Sequence, residues 1–126
     1  MLQVKQEEKT TCKDRIDEEW ASRKEELETL LNAKDYETKD LGSLYDYGLS
    51  IDLVEAGTFK DQRADYIRYQ FSWGGPSDEL RIYKNGEVEY WFLDWFDGAS
   101  LNITGDKVAE QIKEWVLEFK NFDSEV

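Results

Sequence analysis

The sequence contains no histidine, one cysteine (Cys12) and one proline (Pro76) in 126 residues. Without histidine the chain lacks the commonest general base and metal ligand. One cysteine cannot form a Cys/His zinc site or an internal disulfide. No apolar run approaches the roughly 20 residues that a membrane-spanning helix needs, and the start, MLQVKQEEKT, has no apolar segment typical of a secretory signal. We therefore expect a cytoplasmic protein with no catalytic activity and no required cofactor.

Basic residues are also scarce. The chain has 16 Lys and Arg against 29 Asp and Glu, a net charge of -13. This balance argues against binding nucleic acid through its phosphates, which needs clustered Lys and Arg, and against docking on anionic membranes. The excess is spread along the chain, because residues 1–40, 41–80 and 81–126 carry 12, 7 and 10 acids against 8, 3 and 5 bases. An acidic tail would concentrate it in one block, so the charge belongs to the folded body.

Few short motifs typical of catalysis occur. WGGPSD lacks the Lys-Ser/Thr pair that ends a phosphate-binding loop, and Cys12 has no histidine to activate it as a nucleophile. Asp94 and Asp97 flank two aromatic residues in DWFDG, and a glycosidase needs two acids across an aromatic cleft. The same letters suit the end of a strand followed by a turn, which is the interpretation that we prefer.

Hydrophobic residues make up 40% of the chain, enough for one domain with a single core. We expect a single domain over 1–126, and the pattern divides it into a frayed start, a helical part, a sheet and a C-terminal helix, at 1–12, 13–48, 50–96 and 105–121.

Two stretches have helical periodicity. Apolar residues recur near every 3.6 positions from about 13 to 31, and again from about 106 to 120, where Thr104 or Asp106 can cap the start. A short helix is also expected over 40–47, between these two. It would end at Gly48 as a left-handed stop.

Alternation of apolar and polar residues predicts four strands, at about 50–55, 64–73, 79–84 and 87–96. The last two form a hairpin. A three-residue loop ending in a left-handed Gly86 places Ile82 opposite Val88 and Arg81 opposite Glu89, a favourable charge pair. A two-residue turn would instead put Ile82 opposite Glu89 and mix apolar with acidic residues on one face.

The expected fold is α+β, with a four-stranded, mainly antiparallel sheet. The C-terminal helix covers one face, and the N-terminal helical part covers the other face or an edge. We accordingly expect Trp73 and Trp91 in the core. Trp95 fits either the core or an exposed surface that stacks on a ligand.

Two blocks, RYQFSWGGPSDELRIY and EYWFLDWFDGA, resemble a family of small, mostly uncharacterised proteins of bacteriophages, plasmids and other mobile elements. The resemblance covers roughly residues 44–98 and implies no catalytic residue. It implies instead a binding inhibitor encoded by a mobile element, because small acidic proteins of mobile elements often inhibit host defence, as anti-restriction and anti-CRISPR proteins do.

Charge and resemblance together predict a non-enzymatic protein that binds a basic, nucleic-acid-handling host protein, such as a nuclease or a CRISPR effector, by DNA mimicry. Duplex DNA carries one charge per roughly 1.7 Å of its axis, so a mimic needs acids at fixed spacing, as on a sheet. The partner-binding residues expected on and beside the strands are Asp61, Asp65, Asp78, Glu79, Glu87, Glu89, Asp94, Asp97 and Trp95. An aromatic surface for a sugar or peptide, and an immunity or antitoxin-like nuclease inhibitor, remain the alternatives.

Overall fold

A 21-residue helix, α1 (Cys12–Asn32), opens the part of the chain that the computed structural model describes, which is residues 11–58, 62, 64–94 and 96–122. Thr11 caps it, because its side chain accepts a hydrogen bond from the Asp14 amide while the Asp14 carboxylate accepts one from the Thr11 amide. The predicted helix is confirmed. The expected fraying of 1–12 falls outside the described residues at positions 1–10, whereas Thr11 caps α1 and Cys12 is buried in its first turn.

Only the last turn of the expected helix over 40–47 forms. Two short strands, β1 (Glu37–Thr38) and β2 (Gly42–Ser43), pair before α2 (Leu44–Tyr47) begins. Gly42 has a φ of 79°, which no helix tolerates, and the hydroxyl of Ser43 then caps α2 by accepting from the Asp46 amide.

Five strands form the main sheet, not the four predicted. They are joined in sequence order as an antiparallel meander: β3 (Ser50–Val54), β4 (Tyr66–Ser72), β5 (Ser77–Tyr83), β6 (Val88–Asp94) and β7 (Asp97–Asn102). The missed strand, β7, reads DGASLN and has only Ala99 and Leu101 as an apolar alternation. That signal is too short to distinguish a strand from a loop.

The register predicted for the β5–β6 hairpin is confirmed. Ile82 pairs with Val88, Arg81 pairs with Glu89, and Gly86 has a φ of 98°. Arg81 and Glu89 lie opposite each other in this register, but the ion pair expected between them does not form. Arg81 bonds Glu79 on its own strand at 2.7 Å, while Glu89 accepts from the side chains of Tyr83 and Trp91.

Both long helices lie on one face of the sheet. Trp20 of α1 packs on Tyr90, with ring centroids 5.1 Å apart, and Trp115 of α3 (Lys107–Leu117) packs on Tyr69 at 5.9 Å. Tyr69 and Tyr90 both pair with Leu80, so the two rings share a face. The expectation of a helix on each face, or of the N-terminal part at an edge, is therefore wrong. Both helices bury their stripes on this face, which carries most of the hydrophobic core, although Val54 and Tyr66 are buried on the other face.

The other face of the sheet is covered by its own side chains. The guanidinium of Arg81 lies 3.9 Å from the ring centroid of Trp91 and 4.6 Å from that of Tyr66. Trp91 is thus half-buried under an arginine and not under a helix. Trp73 follows β4 and is 76% exposed, so its expected place in the core is wrong. Trp95 lies outside the described residues.

Candidate acidic interface

The charges of α1 are sorted between its two sides. It carries seven acids and four bases. Three of the bases point toward the body of the protein, are half-buried, and form ion pairs of 2.6, 2.9 and 2.9 Å: Arg15 with Asp94, Arg23 with Asp78, and Lys24 with Asp106. Most of the positive charge of the helix is therefore neutralised by acids outside it. Within α1, Arg23 also lies 3.9 Å from Glu26, and Lys13 is exposed.

The acids of α1 face solvent. The exposed ones are Asp14, Asp17, Glu18, Glu25, Glu26 and Glu28. At 1.5 Å of rise per residue they extend over roughly 20 Å of helix axis. We call Asp17, Glu18, Glu25 and Glu28 the acidic face. We leave out Asp14, which caps the helix, and Glu26, which accepts a hydrogen bond from Tyr47.

A buried carboxylate fixes the middle of α1 to the sheet. Asp78 is 2% exposed and accepts hydrogen bonds from Arg23 at 2.9 and 3.0 Å, Tyr90 at 2.6 Å and Ser72 at 2.5 Å. Burial alone would lower the pKa of Arg23, but Asp78 outweighs it and raises that pKa. Burial and the charge of Asp78 likewise raise the pKa of Tyr90. The arginine and the tyrosine both keep their protons at neutral pH, so every donor around Asp78 stays in place.

Two further acids hold the first turn of α1. Asp94 and Asp97 face each other across β6 and β7. Asp94 pairs with Arg15, and Asp97 accepts from the Cys12 amide at 2.7 Å. The amides of Cys12 and Gly98 hold the pKa of Asp97 below its ordinary value. An acid at a helix start also interacts favourably with the helix dipole, so these residues position the acidic face.

The acids of the strands that were expected to bind a partner lie on both faces of the sheet and not on one. Asp78 and Glu79, expected to face a partner, are 2% and 3% exposed, and this expectation is corrected because each is bound to an arginine inside the protein. Asp94 is half-buried on the helix side. Glu89 lies with Glu79 on the opposite side, and is half-buried under hydrogen bonds.

The remaining expected residues are dispersed. Glu87 and Asp97 are exposed. Asp65 is half-buried and accepts a hydrogen bond from the Ala56 amide at 2.7 Å, which links the residue before β4 to the end of β3. Asp61 and Trp95 lie outside the described residues. The strands therefore do not gather these acids into one exposed cluster.

The acidic face was missed although the sequence contains a signal for it. Trp20 and Leu27 mark the inward side of α1, and Arg23 lies three residues after the first and four before the second, so it points inward too. Glu25 lies on the opposite side of a 3.6-residue helix. Placing the charges on the helical wheel, and not only the apolar residues, would have put Arg23 on the inward side and Glu18, Glu25 and Glu28 on the outward side.

Beside this helix, Glu19, Ser22, Arg23 and Glu26 line a shallow depression of about 260 Å³. Burial and the hydrogen bond to Glu26 raise the pKa of Tyr47 to about 12. Among the residues that the structure describes, no group of three or more Asp, Glu or Cys is arranged to hold a metal ion.

Replacing Asp106 with alanine should lower the free energy of unfolding by about 1–2 kcal/mol at pH 7. Its carboxylate caps α3 by accepting from the Val108 and Ala109 amides and also pairs with Lys24. Partial burial works against ionisation, but these hydrogen bonds outweigh it and hold the pKa below 3.8. The ionised form is the stabilising one, so the difference from wild type should shrink as the pH falls below about 4.

Urea unfolding at pH 7 and at about pH 3 measures this effect. Asp106→Asn is the matched control, because asparagine still caps a helix but carries no charge for Lys24. A loss for alanine that is equally large at both pH values would contradict the role given to the ionised carboxylate.

Comparison with known protein families, curated proteins and solved structures gives no match for this chain. Within the described ranges, none of the helices is both long enough and apolar enough to cross a membrane.

Proposed function

We propose that the protein is a non-catalytic inhibitor that binds a basic, nucleic-acid-handling protein, with carboxylates in the positions that phosphates would occupy. The observation that carries this proposal is the sorting of charge on α1: three of its four bases form ion pairs with the body of the protein, while six of its seven acids are exposed to solvent. A net charge of -13 adds long-range attraction for any basic partner.

A helix held at several points suits such a role. The acidic face comprises Asp17, Glu18, Glu25 and Glu28, and ties at the first turn and the middle of α1 keep its backbone fixed. Acids at fixed spacing lose little conformational entropy on binding, unlike acids on a flexible tail. Binding driven by such charges is fast and weakens steeply with salt.

The resemblance of the SWGGPSDE and DWFDGA blocks to mobile-element proteins supports one setting for this activity. A protein encoded by a mobile element gains from blocking the host enzymes that cut its DNA. The partner class that we propose is therefore an enzyme of bacterial defence, either a restriction nuclease or a CRISPR effector, and inhibition would take place in the cytoplasm.

The test is displacement of DNA. Purified restriction nucleases and CRISPR effectors, each bound to a fluorescent target duplex, are titrated with the protein while anisotropy is recorded. The wild type should displace the duplex from its partner. The variant with Asp17, Glu18, Glu25 and Glu28 all changed to lysine should require at least about 50-fold more protein, because like charges then meet in the interface.

A control variant changes net charge equally at other exposed acids: Glu37, Asp40, Glu55 and Glu87. It should lose only a few-fold, through the weaker long-range attraction. If the control lost as much as the α1 variant, or if displacement by the wild type were constant from about 50 to about 500 mM salt, binding through the acidic face would be refuted.

A further inference from the structure

A group of apolar side chains reaches the surface where α2 and the end of α3 meet. Tyr45 and Leu49 are 63% and 61% exposed, and Phe119 is 47% exposed. The ring of Phe119 lies 5.8 Å from that of Tyr45 and 5.1 Å from that of Trp115, in edge-on contacts. We call Tyr45, Trp115 and Phe119 the aromatic ladder.

The aromatic ladder is fixed from below. Trp115 packs on Tyr69, which is fully buried and donates a hydrogen bond to the carbonyl of Leu44, immediately before Tyr45. Burial raises the pKa of Tyr69, so this donor keeps its proton. Aromatic side chains have only two side-chain torsions, and rings already held by neighbours lose little entropy when a partner binds. These are the properties of residues that dominate binding energy at protein interfaces.

Acids border the aromatic ladder. Glu114 of α3 and Glu118, the first residue after α3, are both exposed, and they lie one position before Trp115 and Phe119 respectively. Asp46, next to Tyr45, is exposed as well. A surface of ring faces and edges bordered by carboxylates matches a guanidinium group, which stacks on aromatic rings and forms paired hydrogen bonds with carboxylates.

We propose that the aromatic ladder is the anchor for an arginine side chain of the basic partner, an inference that rests on the proposed function and adds where the partner's strongest contact lies. A second copy of this chain is a poor occupant, because each copy carries a charge of -13 and the border would repel its own acids. The acidic face then supplies attraction over distance, and the aromatic ladder discriminates between one kind of cation and another.

Three peptides of the same length test this assignment, with every second residue arginine, lysine or citrulline and glycine between them. Citrulline keeps the shape of arginine without its charge. The arginine peptide should bind with about three- to tenfold lower Kd than the lysine peptide, because only a guanidinium both stacks and bonds bidentately. The citrulline peptide should not bind measurably. Calorimetry gives the affinities, and chemical shifts of the Tyr45 and Phe119 rings report the place of binding.

The double variant Tyr45→Ala/Phe119→Ala should bind both charged peptides with equal affinity and unchanged salt dependence. Both rings are largely exposed, so the variant should fold. Phe96→Ala is the matched control, since Phe96 is 102% exposed in the β6–β7 turn, at the opposite edge of the sheet from Leu49. This control should keep the preference for arginine.

Each other outcome overturns the assignment in a recognisable way. Equal binding of the arginine and lysine peptides to the wild type, or a preference that survives in the double variant, refutes the anchor while salt-dependent binding still supports the proposed function. Absence of salt-dependent binding by the wild type refutes both. If sedimentation showed that the wild type is a dimer and the double variant is a monomer, the aromatic ladder would be an interface between two copies of this chain and not an anchor for arginine.

Discussion

Replacing Asp78 with alanine should lower the free energy of unfolding by about 3–5 kcal/mol, because it leaves the half-buried guanidinium of Arg23 without its main counter-charge. The carboxylate also accepts from Tyr90 and Ser72, so one buried and one half-buried donor also lose their acceptor. Because Asp78 holds the middle of α1, we also expect the acidic face to lose its fixed position before the sheet unfolds.

Urea unfolding followed by tryptophan fluorescence measures this loss. The matched control is Asp52→Ala, which breaks an arginine–carboxylate pair with Arg68 at 3.1 Å in which the Asp52 side chain is 44% exposed. Water replaces the lost contact there, so the cost should stay below about 1 kcal/mol. Similar losses for the two variants would mean that burial does not decide the strength of these pairs.

The parts of the fold that were predictable are those fixed by neighbours in sequence. The register of the β5–β6 hairpin follows from Gly86 and from the alternation around it, all within a few residues. The inward side of α1 follows from local periodicity in the same way. Such features need no information about distant contacts.

The features that were missed depend on contacts between distant residues. Arg23 and Asp78 are 55 residues apart, and nothing local to Asp78 indicates that an arginine will cover it. The acid was therefore expected to face a partner when only its strand was considered. The sharing of one sheet face by α1 and α3 is likewise a matter of packing, since either helix has a stripe that fits either side. The candidate site moved from strands to a helix for the same reason.

A glycine is required at position 48, but for a different reason from the one that we predicted. It was expected to end α2 in a left-handed conformation, but its φ is -95°, which any residue adopts. A Cβ at this position would lie 2.7 Å from the carbonyl oxygen of Gln70 and would overlap the ring of Tyr69. The residue must be glycine because β4 passes too close for a side chain.

The two explanations predict opposite results for a pair of substitutions. If close approach is the cause, Gly48→Ala should lower the free energy of unfolding by roughly 3 kcal/mol, near the upper end for overpacking, and Gly48→Asn should cost more because asparagine is larger. If a left-handed backbone were the cause, asparagine would be the better tolerated of the two.

Gly42 supplies the control, since its φ is 79° and a Cβ there would have no neighbouring atom within 4 Å. At Gly42 alanine should cost about 1–2 kcal/mol and asparagine less. Urea unfolding of the four variants measures these losses. If the same substitution, alanine or asparagine, were the less destabilising one at both glycines, the packing explanation would be contradicted.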